Sequence, residues 1–435
     1  MRLPSSLPSP NLKLGLSLGR RSGADVIGLD IQPGFVAAVR ARVNGSIVAE
    51  RAASVELAAD TMRDGEVVDE AALAEALRDL FAEHDLGKRV RVGVANQRTV
   101  LRTLELPPVT DQKELAAAVS FQAQDQVPMP LGNAVLDFHP LGIIDTPNGP
   151  RQRVVLVAAQ RDMVERLLSA VRQAGLTAEG VDLSAFALIR SLYRHEEGQT
   201  GRVLYLNVDG LSNLAIAEGT VCRFTRVVGS GLEGMATELA ERRGIALADA
   251  RSRLLEGDLT APVEPAPGPA APAAEPEPEL AADPEPAQDE GEVPEPEPVD
   301  LVAEAQALPS VEEHEARELE MSYEELAAAP AAAAKGPAPE ASDADVLTVL
   351  DNGVRDISGE VRNSLDFHRS QDGGGEVSHV ILSGAAQDIP GFAEALQLSL
   401  GVEVRPAELG VVEAHGVSPH RLAVAAGLAA AEAPQ

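Results

Sequence analysis

The chain has 435 residues, a formal net charge of −32, 3% aromatic residues and a single cysteine, Cys222. An acidic excess of this size argues against nucleic acid as a ligand, because neutralising phosphates needs clustered Lys and Arg. One cysteine excludes an internal disulfide framework and suits a reducing compartment, and no run approaches the roughly 18 consecutive apolar residues of a membrane span.

Residues 1–24 carry a few positive charges and no apolar run of signal-peptide length, so they are expected to be a flexible tail. VIGLDIQPGFVAAVRARV and SIVAERAASVEL read as strands, with turns at Gln32-Pro33-Gly34 and Asn44-Gly45. Asp69 is the expected N-cap of a helix whose apolar stripe is Leu73, Leu77, Leu80 and Phe81. RVRVGVAN and TVLRTLELP look like a further strand pair, ended by Pro107-Pro108. The helix DQKELAAAVSFQAQDQ stops at Pro128-Met129-Pro130. AVLDFHPLG and RVVLVAAQ are strands, and MVERLLSAVRQAG is an amphipathic helix with a Gly175 stop.

After a helix around Leu183–Tyr193, RVLYLNVDG, NLAIAEG and VCRFTRVVG form a second run of strands that leads into the helix GLEGMATELAERRG. The composition then changes. From Thr260 to Ala341, Pro, Ala and Glu dominate, and such a segment buries too little apolar surface to offset its conformational entropy. It is expected to be a disordered acidic insert. Between Asp258 and Asp345 about 24 acids stand against Arg317 and Lys335, so this stretch carries roughly −22 of the net charge and the remainder is mildly acidic. Beyond it, Val346, Leu350, Val354, Ile357, Val361 and Leu365 mark one face of a long helix. The strand HVILSG, the segment IPGFAEALQLSLG and a last helix follow, the latter with Ser418 at N-cap and Pro419 at N1. A hairpin-rich start thus occurs near Val26 and again near Arg202, as two related lobes facing a cleft would produce.

Several ordered motifs resemble the pilus assembly PilM family, actin-like relatives of the cell-division protein FtsA. They are GLDIQPGFVAAV around Asp30, Glu105-Leu106-Pro107-Pro108, Val127-Pro128-Met129-Pro130, Leu136-Asp137-Phe138, EVRNSLDFHRSQ and HVILSGAAQDIPGF. The resemblance runs through nearly all of the chain outside the acidic insert. It implies an α/β, actin-like (ribonuclease H-like) fold of two lobes. The first lobe would span 25–200, with a small inserted α+β subdomain at about 61–150. The second would span 201–259 and 342–431, interrupted by the insert at 260–341. The resemblance also implies ATP with Mg2+ between the lobes, and a cytoplasmic platform at the inner membrane that binds the cytoplasmic tail of PilN and contacts the pilus assembly motor.

The site residues follow from the same resemblance. Asp30 would hold Mg2+ through its carboxylate, Gly34 would belong to the first phosphate turn, and Asn207, Asp209, Gly210 and Ser212 to the second. Ser383 and Gly384 would line an adenosine pocket. Several departures weaken such a site: Pro33 has no N–H to offer, Ala37 stands where relatives carry a phosphate-contacting Lys, the second turn puts Asn207 and Asp209 where relatives have the acid and the glycine and reads also as an ordinary Asp-Gly hairpin, and Ser383-Gly384 keeps one glycine where relatives have two. The expectation is therefore a non-catalytic or weakly hydrolysing platform, with an active nucleotide-switched ATPase as the alternative and a sugar-kinase-like enzyme as a remote one. Val127, Pro128 and Met129 form an apolar corner read as a partner contact or as core packing. Gly229–Gly234 matches G-x-G-x-x-G, but it follows a hairpin strand and reads as a strand-to-helix turn. His415 and His420 lack the neighbours a metal site needs.

Overall fold

Two antiparallel meanders organise the chain. In the first, β1 (Ile27–Gln32) turns at Pro33-Gly34 into β2 (Phe35–Asn44), which pairs with β3 (Ser46–Glu56), and Asp30 stands opposite Ala37. The computed structural model describes residues 26–44, 46–195, 201–260, 343–371 and 374–430. The tail at 1–24 and all but the first residue of the acidic insert lie outside the described residues.

A short hairpin of β4 (Met62–Arg63) and β5 (Glu66–Val67) leads to α1 (Glu70–Glu83). Asp69 caps that helix, its carboxylate accepting from the amides of Ala71 and Ala72 at 2.9 and 3.0 Å. β6 (Arg89–Val94) then runs parallel to β1, with Leu29 opposite Val92. β7 (Val100–Leu106) does not pair with β6 as the sequence suggested; it leaves the lobe. With α2 (Gln112–Gln126), β8 (Ala134–Thr146) and β9 (Gly149–Gln160) it builds a separate sheet of order β7-β9-β8. This subdomain has its own core, including Leu104, Leu115, Val119 and Leu156. The inserted unit therefore spans about Val100–Gln160 rather than 61–150. The reason is burial: Leu73, Leu77 and Leu80 pack into the same core as Ile27 and Leu29, so α1 belongs to the first lobe. The lobe continues with α3 (Arg161–Gln173), β10 (Thr177–Leu183) parallel to β6, and α4 (Ser184–Leu192).

The second meander is β11 (Arg202–Val208), β12 (Ser212–Glu218) and β13 (Val221–Val228), followed by α5 (Leu232–Arg243) and α6 (Leu247–Leu255). After the insert come α7 (Asp343–Ser370), β14 (Val377–Ser383), α8 (Phe392–Leu400) and β15 (Val404–Pro406). The sheet order is β13-β12-β11-β14-β15, with β14 parallel to β11. The stripe of α7 covers this sheet: Val346, Leu350, Val354, Ile357, Val361 and Leu365 are all buried in the lobe's core.

The end of the chain returns to the first lobe. β16 (Gly410–Val411) pairs with β3, and after a 3-10 turn at Pro419–Leu422 the helix α9 (Ala423–Ala429) packs against β1, β2 and α4. Ser418 accepts from the His420 amide as expected of a cap, although the turn it starts is 3-10 before it becomes α. The second lobe thus stops before residue 410, not at 431. Backbone approach makes this possible: a Cβ on Gly28 of β1 would lie 1.8 Å from the Ala425 carbonyl, and one on Gly427 1.9 Å from that of Ala187. Arg91 donates to the carbonyls of Leu428 and Ala430, and Arg190 to that of Gly427, so the open end of α9 is capped by side chains. All described residues fall in one compact unit, which includes the contacts between lobes.

Candidate functional site

The two meanders aim their first turns at each other across the cleft between the lobes. The turn after β1 meets the turn after β11 directly, for a Cβ on Gly210 would sit 2.3 Å from the Pro33 carbonyl oxygen. Gly34, at φ +81°, lies in that first turn beside Arg251 and Glu233. Asp30 is 2% exposed, and its carboxylate accepts from the Gln32 side-chain amide at 3.1 Å. Burial pushes the Asp30 carboxyl up to about 7, against the pull of Gln32, while Asp209 adds to the push and Arg421 opposes it.

Asp209, 3% exposed, is gripped by Arg421 through two parallel bonds, Nη2 to Oδ1 at 2.6 Å and Nε to Oδ2 at 3.1 Å. The Ala385 amide donates to the same carboxylate at 3.3 Å. The Arg421 guanidinium lies 3.5 Å above the Phe35 ring centroid. Burial works against its charge, but Asp209, with Asp388 and Glu56, raises its pKa further. Asn207 accepts from the Ser383 hydroxyl at 2.9 Å, and Ser212 donates to the Ser230 carbonyl. The Gly384 amide donates to the His420 carbonyl at 2.9 Å. The glycine-rich turn at 229–234 closes the same corner, with the Leu232 amide on the Asp209 carbonyl at 2.8 Å.

The structure thus brings Gly34, Asp209, Gly210 and Gly384 to one cleft, with Asp30, Asn207, Ser212 and Ser383 buried around it. Arg421, Phe35, Arg251 and Glu233 line or face the same cleft and were not picked out from the sequence. Arg421 stands 212 positions from Asp209, and no spacing links the two; the only local hint is a cationic residue just after the Ser418-Pro419 cap. The corner read as a partner contact is divided. Val127 is buried in the subdomain core, Met129 packs half-buried on it, and Pro128 is exposed. His420 pairs with Asp388 at 2.6 Å and His415 with Glu413 at 3.2 Å, so the two histidines do not converge.

Around the cleft, several of the groups that could hold ATP with Mg2+ are already engaged. A triphosphate needs free N–H donors and cations, yet the amides of Leu232, Gly384 and Ala385 are already engaged, as are Arg421 and Arg251. Arg251 is held by Glu233 in a two-bond grip and also donates to the Leu57 carbonyl at 3.1 Å. Glu56, Asp209 and Glu233 line the remaining space, about 40 Å3 in volume. One water needs roughly 10–15 Å3 by that measure, so the cleft has room for a few waters.

A second polar site lies at the root of the inserted subdomain. Thr99 Oγ1 and Asn213 Oδ1 are buried without a hydrogen-bond partner and line a cavity of about 10 Å3, with Asn96, Leu183 and Thr225 among its walls. Here β7, an edge of the inserted sheet, approaches β13, the edge of the second-lobe sheet.

Two lobes, each a sheet opened by a meander and covered by helices, with a small inserted subdomain, define the actin-like fold. A sequence model of the type IV pilus assembly protein PilM family matches residues 28–250, just over half of the chain, and the chain belongs to that family. A solved PilM-PilN type IV pilus biogenesis complex aligns with TM-score 0.61 and 19% identity, over 93% of this chain and 97% of that one. The ethanolamine utilization protein EutJ from Carboxydothermus hydrogenoformans aligns at TM-score 0.44 and 14% identity, over 93% and 88% of the two chains. An MreB of Spiroplasma citri bound to ADP aligns at 0.43 and 11%, over 94% and 95%.

Proposed function

We propose that this chain is a platform of the type IV pilus machinery at the cytoplasmic face of the inner membrane, and that it binds an extended cytoplasmic segment of PilN beside the inserted subdomain. Family membership and the alignment with the PilM chain of a PilM-PilN complex support the partner. The observation behind the location is a pair of bare buried groups, Thr99 Oγ1 just before β7 and Asn213 Oδ1 on β12, beside the place where β7 approaches β13. A buried acceptor without a partner is costly, and an extended peptide brings a backbone donor at every residue. Among the described residues no helix is long and apolar enough to cross a membrane, so attachment would come through the partner. Contact with a pilus assembly motor rests on the family resemblance alone. This reading requires no nucleotide in the cleft.

The test is fluorescence anisotropy of a labelled synthetic peptide, the cytoplasmic segment of PilN, titrated with the full chain. Saturable binding is expected. Asn213→Ala should weaken it about tenfold, about 1.4 kcal/mol, in a variant whose circular dichroism shows that it still folds. Absence of saturable binding to the wild-type chain refutes the proposal.

A further inference from the structure

The two lobes share an apolar core, with Leu188 and Val424 of the first packed against Tyr205 and Ala215 of the second, and at the cleft their polar turns are bridged as well. In this chain the bridging group is a side chain. Arg421 comes from the 3-10 turn that precedes α9 and therefore belongs to the first lobe. It stacks on Phe35 of the same lobe and binds Asp209 of the second in a bidentate grip. Its neighbours repeat the crossing. Ser418 and His420 both bind Asp388, and the His420 carbonyl accepts from the Gly384 amide. On the far side of the cleft Arg251 reaches from α6 to the Leu57 carbonyl.

We infer that Arg421 takes the place of a metal–nucleotide complex in this chain, closing the lobes through Asp209 and leaving a cleft that does not bind ATP with Mg2+. Geometry supports this in three ways. The Asp209 carboxylate is saturated by a cation that is covalently part of the protein, and Asp30, 2% exposed, already accepts from the Gln32 amide. The guanidinium is planar, always charged and matched to the carboxylate in two bonds, so it is a stronger tether than a single-point contact. Glu56 beside it would repel a polyphosphate, Glu233 is already paired with Arg251, and Ala37 stands where the family resemblance places a phosphate-contacting Lys. The pair is also self-enforcing, since removing either partner strands a buried charge.

The inference is independent of the peptide reading and is tested on the full chain without any partner. Labelled ATP with Mg2+ is titrated against the wild-type protein, and amide hydrogen exchange is followed at Gly384 and Ala385, whose N–H groups bond across or beside the bridge. No saturable binding up to about 1 mM is expected. Arg421→Ala should accelerate exchange at Gly384 and Ala385 at least tenfold, an order-of-magnitude expectation from loss of local protection. Should that variant fail to fold, Asp209→Asn, which keeps the volume and removes the charge, is read the same way. ATP binding gained only by R421A would support the inference. Saturable binding by the wild-type chain, or unchanged exchange in a folded R421A or D209N, would overturn it.

Discussion

Replacing a helical glycine by alanine should act with opposite signs at two positions of this protein. Gly359 lies in the interior of α7, and a Cβ there would meet nothing within 4 Å. Gly359→Ala should stabilise by about 0.5–1 kcal/mol, the usual gain from restricting the unfolded backbone and improving helix propensity. Gly427 lies in α9, where the Cβ would stand 1.9 Å from the Ala187 carbonyl oxygen and 2.5 Å from its carbon. Ordinary contact begins at 3.4 Å, so α9 and α4 would have to separate by about 1.5 Å. Leu188, Val424 and Leu428, all fully buried, pack in that seam, and Arg190 bonds the Gly427 carbonyl, so the shift cannot be confined to one atom. Overpacking of this kind costs about 1–3 kcal/mol or more, and the obstacle here is backbone, so the upper end applies. After the propensity gain, the net loss should be about 2 kcal/mol. Urea denaturation followed by circular dichroism gives both values, compared at equal m. A Gly427→Ala variant as stable as the wild type would refute the close α4–α9 seam and the return of the chain end to the first lobe.

Two further outcomes are expected. Cys222 is buried, and burial pushes its thiol up to about 12. A thiol reagent at pH 8 should therefore titrate no cysteine in the native protein and one in guanidinium. With the folded pKa above the unfolded one, the thiol's contribution to stability is fully present below about pH 8.5 and is lost as pH rises toward 12. Replacing Pro262–Pro339 by a short Gly-Ser linker should leave the cooperative melt intact, because loop closure cost grows slowly with length. The chain leaves and re-enters the second lobe side by side: a Cβ on Gly257 would lie 3.1 Å from Val346 Cγ1, and Arg243 pairs with Asp345. A broadened or lost melting transition in that variant would count against it.

Local chemistry was readable wherever a few neighbouring residues carry the signal. Asp69 caps α1, the Pro33-Gly34 turn joins β1 to β2, and the stripe from Val346 to Leu365 faces the core of its lobe. The reading failed where partners are distant. The helix at Leu73–Phe81 was assigned to the inserted subdomain, yet it covers the first-lobe sheet. β6 and β7 are consecutive and both apolar, but they enter different sheets. Of the cleft, the turns at Gly34 and Asp209-Gly210 were found from the family motif, whereas Arg421 was invisible.

The sequence by itself determined the two meanders, the helix caps and the composition of the acidic insert, because each depends on residues within a few positions of one another. Only the tertiary structure decided which apolar face covers which, where the last helix docks, and that Asp209 is answered by Arg421. Periodicity says that a face must be buried, and a carboxylate says that it needs a partner. Neither names the surface or the cation, which come from chain segments about 200 residues away and are brought there by the packing of both lobes at once.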